Sequence, residues 1–218
     1  MRSGSLRLLL VALVAATFAA AIAPRAGAET VTLAPTSDLG LPFWCDWSYD
    51  WEARCHPDEG ERLPVGGVED KVWRSALRFD LETIPPNGTI TSATLRLFFD
   101  GMCVAPHVTV VRCPARSYTV DAHRVLSADW FDEREPDLEF GPAATATLPA
   151  GVTFRWLAWN LTPLVRGWHS GGTTNNGVAL KLADRQEDFD SSGPYLLSSR
   201  GPDAARPRLV VLYTAPTP

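Results

Sequence analysis

The chain has 218 residues, a formal net charge of −5 with neutral histidines, and 45% hydrophobic side chains. A chain of that length can bury a sizeable core within one β-sandwich domain. The acidic balance argues against a general nucleic-acid binder or a protein held on an anionic membrane, because both ordinarily carry excess positive charge.

Arg2 and Arg7 precede an apolar run from Leu8 to Ala23, and Ala26-Gly27-Ala28 follows as a small-residue cleavage site. This is the pattern of a secretory signal peptide over residues 1–28. The run is shorter than the roughly 20 residues that cross a bilayer, and Pro24 closes it. Residues 29–218 are then expected to form one exported domain, made more acidic by the loss of Arg2, Arg7 and Arg25. No later stretch has transmembrane length, and no Cys stands at the cleavage site to take a lipid. The expected location is therefore extracellular, with no membrane partner after cleavage. Lys71 and Lys181 are the only lysines, and that preference for arginine points to a GC-rich bacterial genome.

Glu29 to Ala34 alternates Val31 and Leu33 with threonines and reads as the first strand. Pro35 to Gly60 reads as a long insertion containing FWCDWSYDWEARC. Its aromatics Trp44, Trp47, Tyr49 and Trp51 crowd between or beside Cys45 and Cys55, interspersed with Asp46, Asp50, Glu52 and Arg54. Rings and carboxylates so mixed suit stacking on sugar faces and hydrogen bonding to hydroxyls, which makes these four the glycan-binding candidates. The same rings also suit a small core packed around a disulfide, since large aromatics are mostly buried and a long loop needs internal packing. In that case Trp156 and Phe98, which stand opposite their apolar neighbours on strands, are the next platforms to consider.

Arg62 to Val65 is expected as a short strand. Arg74 to Phe99 then reads as two paired strands around one turn. Leu77, Phe79 and Leu81 share one face, Pro85-Pro86-Asn87-Gly88 breaks the run, and Ala93, Leu95, Leu97 and Phe99 share a face of the second limb. Further strands are expected over His107–Cys113 and Tyr118–Val125. The following loop carries Glu133, Glu135, Asp137 and Glu139. Paired carboxylates serve glycoside hydrolysis, but spacing alone carries almost no specificity for it, and a solvated acidic loop is the plainer reading.

Phe154 to Asn160 is β-prone and apolar on both faces. Thr162 is expected to cap a short helix with Pro163 at its first position, Leu164, Val165 and Trp168 on its inner face, and Gly171-Gly172 at its end. Val178–Leu182 and Arg208–Thr214 complete the strands. Between them Asp184, Glu187, Asp188 and Asp190 form a loop that leaves calcium possible through hard oxygen ligands, although no EF-hand spacing is present. No other cofactor is implied. The expected fold is all-β, a jelly-roll-like antiparallel β-sandwich with one short helix.

An even number of cysteines in an exported chain favours disulfides over metal or redox roles. Cys45 to Cys55 and Cys103 to Cys113 repeat one interval, so two local loops are the simplest of three possible pairings. His56, His107, His123 and His169 show no close ligand pair, and no Gly-x-Ser-x-Gly, His-Glu-x-x-His or phosphate-cradling motif occurs. The pattern suggests no enzyme, with a polysaccharide lyase or hydrolase as the rival. It sets no oligomeric state.

Three blocks, RSALRFDLETIPPNGTITSATLRLFF, LTPLVRGWHSGGTTNNGVALKL, and FDSSG followed by RPRLVVLY, resemble in order and spacing the DNRLRE-domain family, related to carbohydrate-binding module family 96. The literal Asp-Asn-Arg-Leu-Arg-Glu string is absent. The resemblance implies a secreted jelly-roll-like module that binds a polysaccharide. The resemblance implies that alginate binding in such modules depends on basic side chains near the N-terminal strands, and the stretch from Asp46 to Asp70 is acidic and aromatic with few cations, so a neutral glycan is the expected partner. The alternative is a structural or adhesive envelope protein that contacts other proteins.

Overall fold

The structure is a computed structural model that describes residues 27–46, 54–58, 60–68, 71–105, 109–128, 137–187 and 192–215. Residues 1–26 of the expected signal peptide lie outside that set. Two antiparallel sheets make an all-β sandwich with one short helix.

The first sheet is built on β7 (Thr89–Ala105), a strand of 17 residues. One edge of β7 pairs with β14 (Arg208–Thr214) and then β13 (Pro194–Leu197), and the other with β11 (Arg155–Asn160) and then β8 (Thr109–Arg112). β1 (Ala28–Leu33) and β4 (Arg62–Pro64) lie beyond β14 and β13. In the second sheet the order is β10 (Ala144–Leu148), β9 (Tyr118–Arg124), β12 (Val178–Leu182), β6 (Lys71–Phe79), β2 (Pro35–Asp46) and β3 (Arg54–Asp58), with β5 (Gly66–Val68) added to β6.

The expected hairpin across residues 74–99 does not form. β6 lies in the second sheet between β12 and β2, while β7 lies in the first, so residues 80–88 cross from one sheet to the other. Alternation of Leu77 and Phe79, and of Leu95 and Leu97, reports that each strand has one apolar face. It does not report whether the two faces lie side by side or meet across a core. Here they meet. All four side chains are buried in one cluster with Val120, Leu180, Leu209 and Val211. Trp159, 0% exposed on β11, donates its indole N–H to the Val120 carbonyl of β9 at 2.9 Å and so links the sheets through the core.

The long insertion expected from Pro35 to Gly60 instead contains two paired strands, β2 and β3. β10, β13 and β5 also went unread: β13 and β5 are short and carry little alternation, and β10 alternates over only five residues with small side chains on its inner face. The helix α1 (Thr162–His169) buries Leu164, Val165 and Trp168 as expected. Its N-cap is Leu161 rather than Thr162, with no side-chain cap. The Thr162 hydroxyl is taken up elsewhere: it donates to Asn160 Oδ1 at 2.6 Å and accepts the Ala93 N–H at 2.9 Å. Pulling the hydroxyl toward β7 ties the helix to the sheet and leaves nothing to turn back on the first helical turn.

Candidate functional site

Outward positions of the first sheet bring aromatic rings and arginines together. In the ladder Trp156 of β11 stands opposite Phe98 of β7, and Arg96 of β7 stands opposite both Ala158 of β11 and Arg208 of β14. The Phe98 ring meets Trp156 edge-on at 5.3 Å between centroids and stacks with Phe154 at 6.4 Å. The Arg208 and Arg96 guanidinium carbons lie 4.1 and 5.2 Å from the Trp156 ring centroid. Phe154 is 70% exposed. Among the described residues neither arginine has a carboxylate partner. Two cations on adjacent strands ordinarily repel. The electron-rich face of the indole moderates that repulsion. Trp, Phe and Arg in one exposed patch are the composition of interface hot spots.

The outer face of the second sheet joins a small buried apolar cluster of Leu39, Ala76, Val125 and Ala179 to a network of paired polar side chains. Arg74 makes two hydrogen bonds to Glu187, with nitrogen–oxygen distances of 3.0 Å each, and Lys181 reaches Glu187 and Asp184 at 2.7 Å each. Burial works against the Lys181 charge, but hydrogen bonds to the two carboxylates outweigh it and hold the lysine pKa above its usual value. The hydrogen bond from Lys181 holds the Asp184 carboxyl below the usual range. Asp121 accepts from the Thr145 hydroxyl at 2.6 Å, and His123 Nδ1 meets the Glu139 carbonyl at 3.1 Å. Two carboxylates considered for calcium, Asp184 and Glu187, are thus already neutralised by cations, while Asp188 and Asp190 lie outside the described residues. Among the described residues no group of three His, Cys, Asp or Glu is placed to hold a metal.

Of the aromatic loop, Trp47, Tyr49 and Trp51 lie outside the described residues, and only the backbone of Trp44 is described, on β2 opposite His56. Cys45 stands directly opposite Cys55 in the β2–β3 ladder. Cys103 is bonded to Cys113. In the acidic loop Glu133 and Glu135 fall outside the described residues, and Glu139 lies 3.5 Å from Arg124. His169 Nε2 meets the Gly88 carbonyl at 3.1 Å, and His107 is outside the described residues. Sequence reasoning singled out Trp156 and Phe98 but missed Arg96, Phe154 and Arg208. Their outward parity was legible strand by strand, whereas the neighbour relation of β11, β7 and β14 was not.

Residues 55–212, well over half of the chain, match the model of the TGF-beta propeptide. The chain belongs to the TGF-beta propeptide family. No curated protein matches the sequence.

Membership in the TGF-beta propeptide family overturns the resemblance to the DNRLRE-domain family and to carbohydrate-binding module family 96. The blocks that carried that resemblance lie on β6, β7, α1, β12 and β14. Their alternation and turn residues are what sandwich packing demands, so they report architecture rather than ligand. The glycan-binding role and the neutral polysaccharide partner fall with it, and the adhesive envelope role and bacterial source gain no support from the family.

Proposed function

We propose that this chain is a secreted, non-catalytic binding domain of the propeptide kind, and that its partner is a growth factor of the TGF-beta type. The observation that carries the reading is the family match over residues 55–212. TGF-beta propeptides are secreted, are not enzymes and associate with TGF-beta growth factors. The apolar run at Leu8–Ala23 supports export. The docking surface we assign is the outer patch of Arg96, Phe98, Phe154, Trp156 and Arg208, where a partly exposed ring cluster adjoins guanidiniums that have no carboxylate partner among the described residues. Immobilised exported protein should retain growth factors of the TGF-beta type, and Trp156→Ala should abolish most of that retention. Failure of the wild-type protein to retain any of them would overturn the reading.

A further inference from the structure

Where β7 passes into β8, beside the 149–153 turn, the surface opens into a pocket of about 90 Å³. The recess is small and takes a short side chain. The deep wall is apolar, made by Phe99, Leu148 and Val152, and Arg112 and Arg116 stand at the opening. Phe99 faces the core while its neighbour Phe98 faces outward, so the pocket and the ring patch lie on opposite faces of β7, and Thr153 on the pocket rim directly precedes Phe154 of the patch.

The walls are held in place before anything binds. The Cys103–Cys113 bond closes the β7–β8 hairpin, and the Cys113 N–H donates to the Gly101 carbonyl at 3.0 Å. Gly101 has φ +89°, and a Cβ there would stand 2.7 Å from the Thr153 carbonyl, so only glycine lets the 149–153 turn close over the hairpin. Arg116 is fixed by stacking over Tyr118, at 4.8 Å from the ring centroid, and by donating to the Ser192 carbonyl. Arg112 is exposed and, among the described residues, has no hydrogen-bond or ion-pair partner. An apolar recess with one fixed and one unengaged guanidinium at its mouth matches the methylenes and carboxylate of an acidic side chain.

The geometry points to this pocket as a carboxylate-binding subsite that receives a Glu or Asp side chain of the protein partner. The inference rests on the proposed docking reading and adds a ligand class to it. Arg112 and Arg116 give the mouth of this pocket a local positive character in a net-acidic chain, which favours an acidic side chain on the partner and steers its approach.

The test uses the exported protein labelled with 15N and two small probes, N-acetylglutamate α-methylamide and its glutamine counterpart. The glutamate probe should give saturable amide shifts at Gly101, Cys113 and Ala115, with the glutamine probe at least about tenfold weaker, as expected when a charge-assisted pair is lost. Arg112→Gln should weaken the glutamate probe by a similar factor without moving amides elsewhere. Absence of shifts at these amides, equal response to both probes, or an unaffected Arg112→Gln would overturn the subsite. None of these readouts uses a growth factor, so the subsite and the docking reading fail separately. If growth-factor retention survives while the glutamate probe is silent, only the subsite is lost.

Discussion

The Arg208 guanidinium of β14 lies 4.1 Å from the ring centroid of Trp156 on β11, reaching across β7, which separates the two strands. The Arg208 Nε is buried without a hydrogen-bond partner. The ring therefore replaces the ion pair that a half-covered arginine would otherwise need. Trp156→Ala removes the platform for both Arg208 and Arg96. Because Trp156 is only partly buried, its loss should cost about 1 kcal/mol of folding stability, while partner binding should fall by roughly 2 kcal/mol or more. Thermal melts and binding curves on the same variant check this, and a stability loss as large as the binding loss would count against a docking role.

Thr162 holds the helix to β7 through one hydroxyl that both accepts from the Ala93 N–H and donates to Asn160. Thr162→Val keeps the shape but leaves a buried backbone donor unpaired, at a cost of roughly 1 to 3 kcal/mol. Thr162→Ser keeps the hydroxyl and should remain within about 1 kcal/mol of wild type. Denaturant unfolding of the two variants distinguishes a hydrogen-bond role from simple packing, which would rank them the other way.

The Cys103–Cys113 bond spans a sequence separation of 10. Closing so short a loop removes about 2 to 3 kcal/mol of unfolded-chain entropy, so the double Ala variant should lose a comparable stability. Cys45 and Cys55 face each other in the β2–β3 ladder, and we expect a second local bond there. Non-reducing peptide mapping should find no peptide that joins the 45/55 region to the 103/113 region.

Lys181 and Asp184 make stability respond to pH at both extremes. Lys181 has a raised pKa in the folded protein, so its contribution is complete below the unfolded lysine value near 10.4 and disappears as pH rises through the higher folded value. Asp184 has a lowered pKa. Its contribution is present above the unfolded value near 3.9 and is lost as pH falls through the folded one. Lys181→Met should cost about 1 to 3 kcal/mol at neutral pH, with Arg74 still pairing Glu187. The variant's melting temperature should also decline less steeply than wild type above about pH 10. Parallel declines would show that the lysine charge is not what alkali removes.

The alternation of Leu95, Leu97 and Phe99, the Pro85-Pro86-Asn87-Gly88 break and the amphipathic Leu164, Val165 and Trp168 determined from sequence alone that the protein is an all-β sandwich with one short helix. Such patterns are local: the side-chain period and the turn chemistry act within a few residues, and the sequence displays them directly. Only the tertiary structure decided that β6 and β7 lie in opposite sheets and that β14, β7 and β11 are neighbours. Strand partnership depends on which edges other strands have already taken, and that is settled by the whole core at once. The site followed the same division. Trp156 and Phe98 were legible as outward rings, but Arg208 joins them only because two strands far apart in the chain flank β7, bringing its guanidinium onto the indole face.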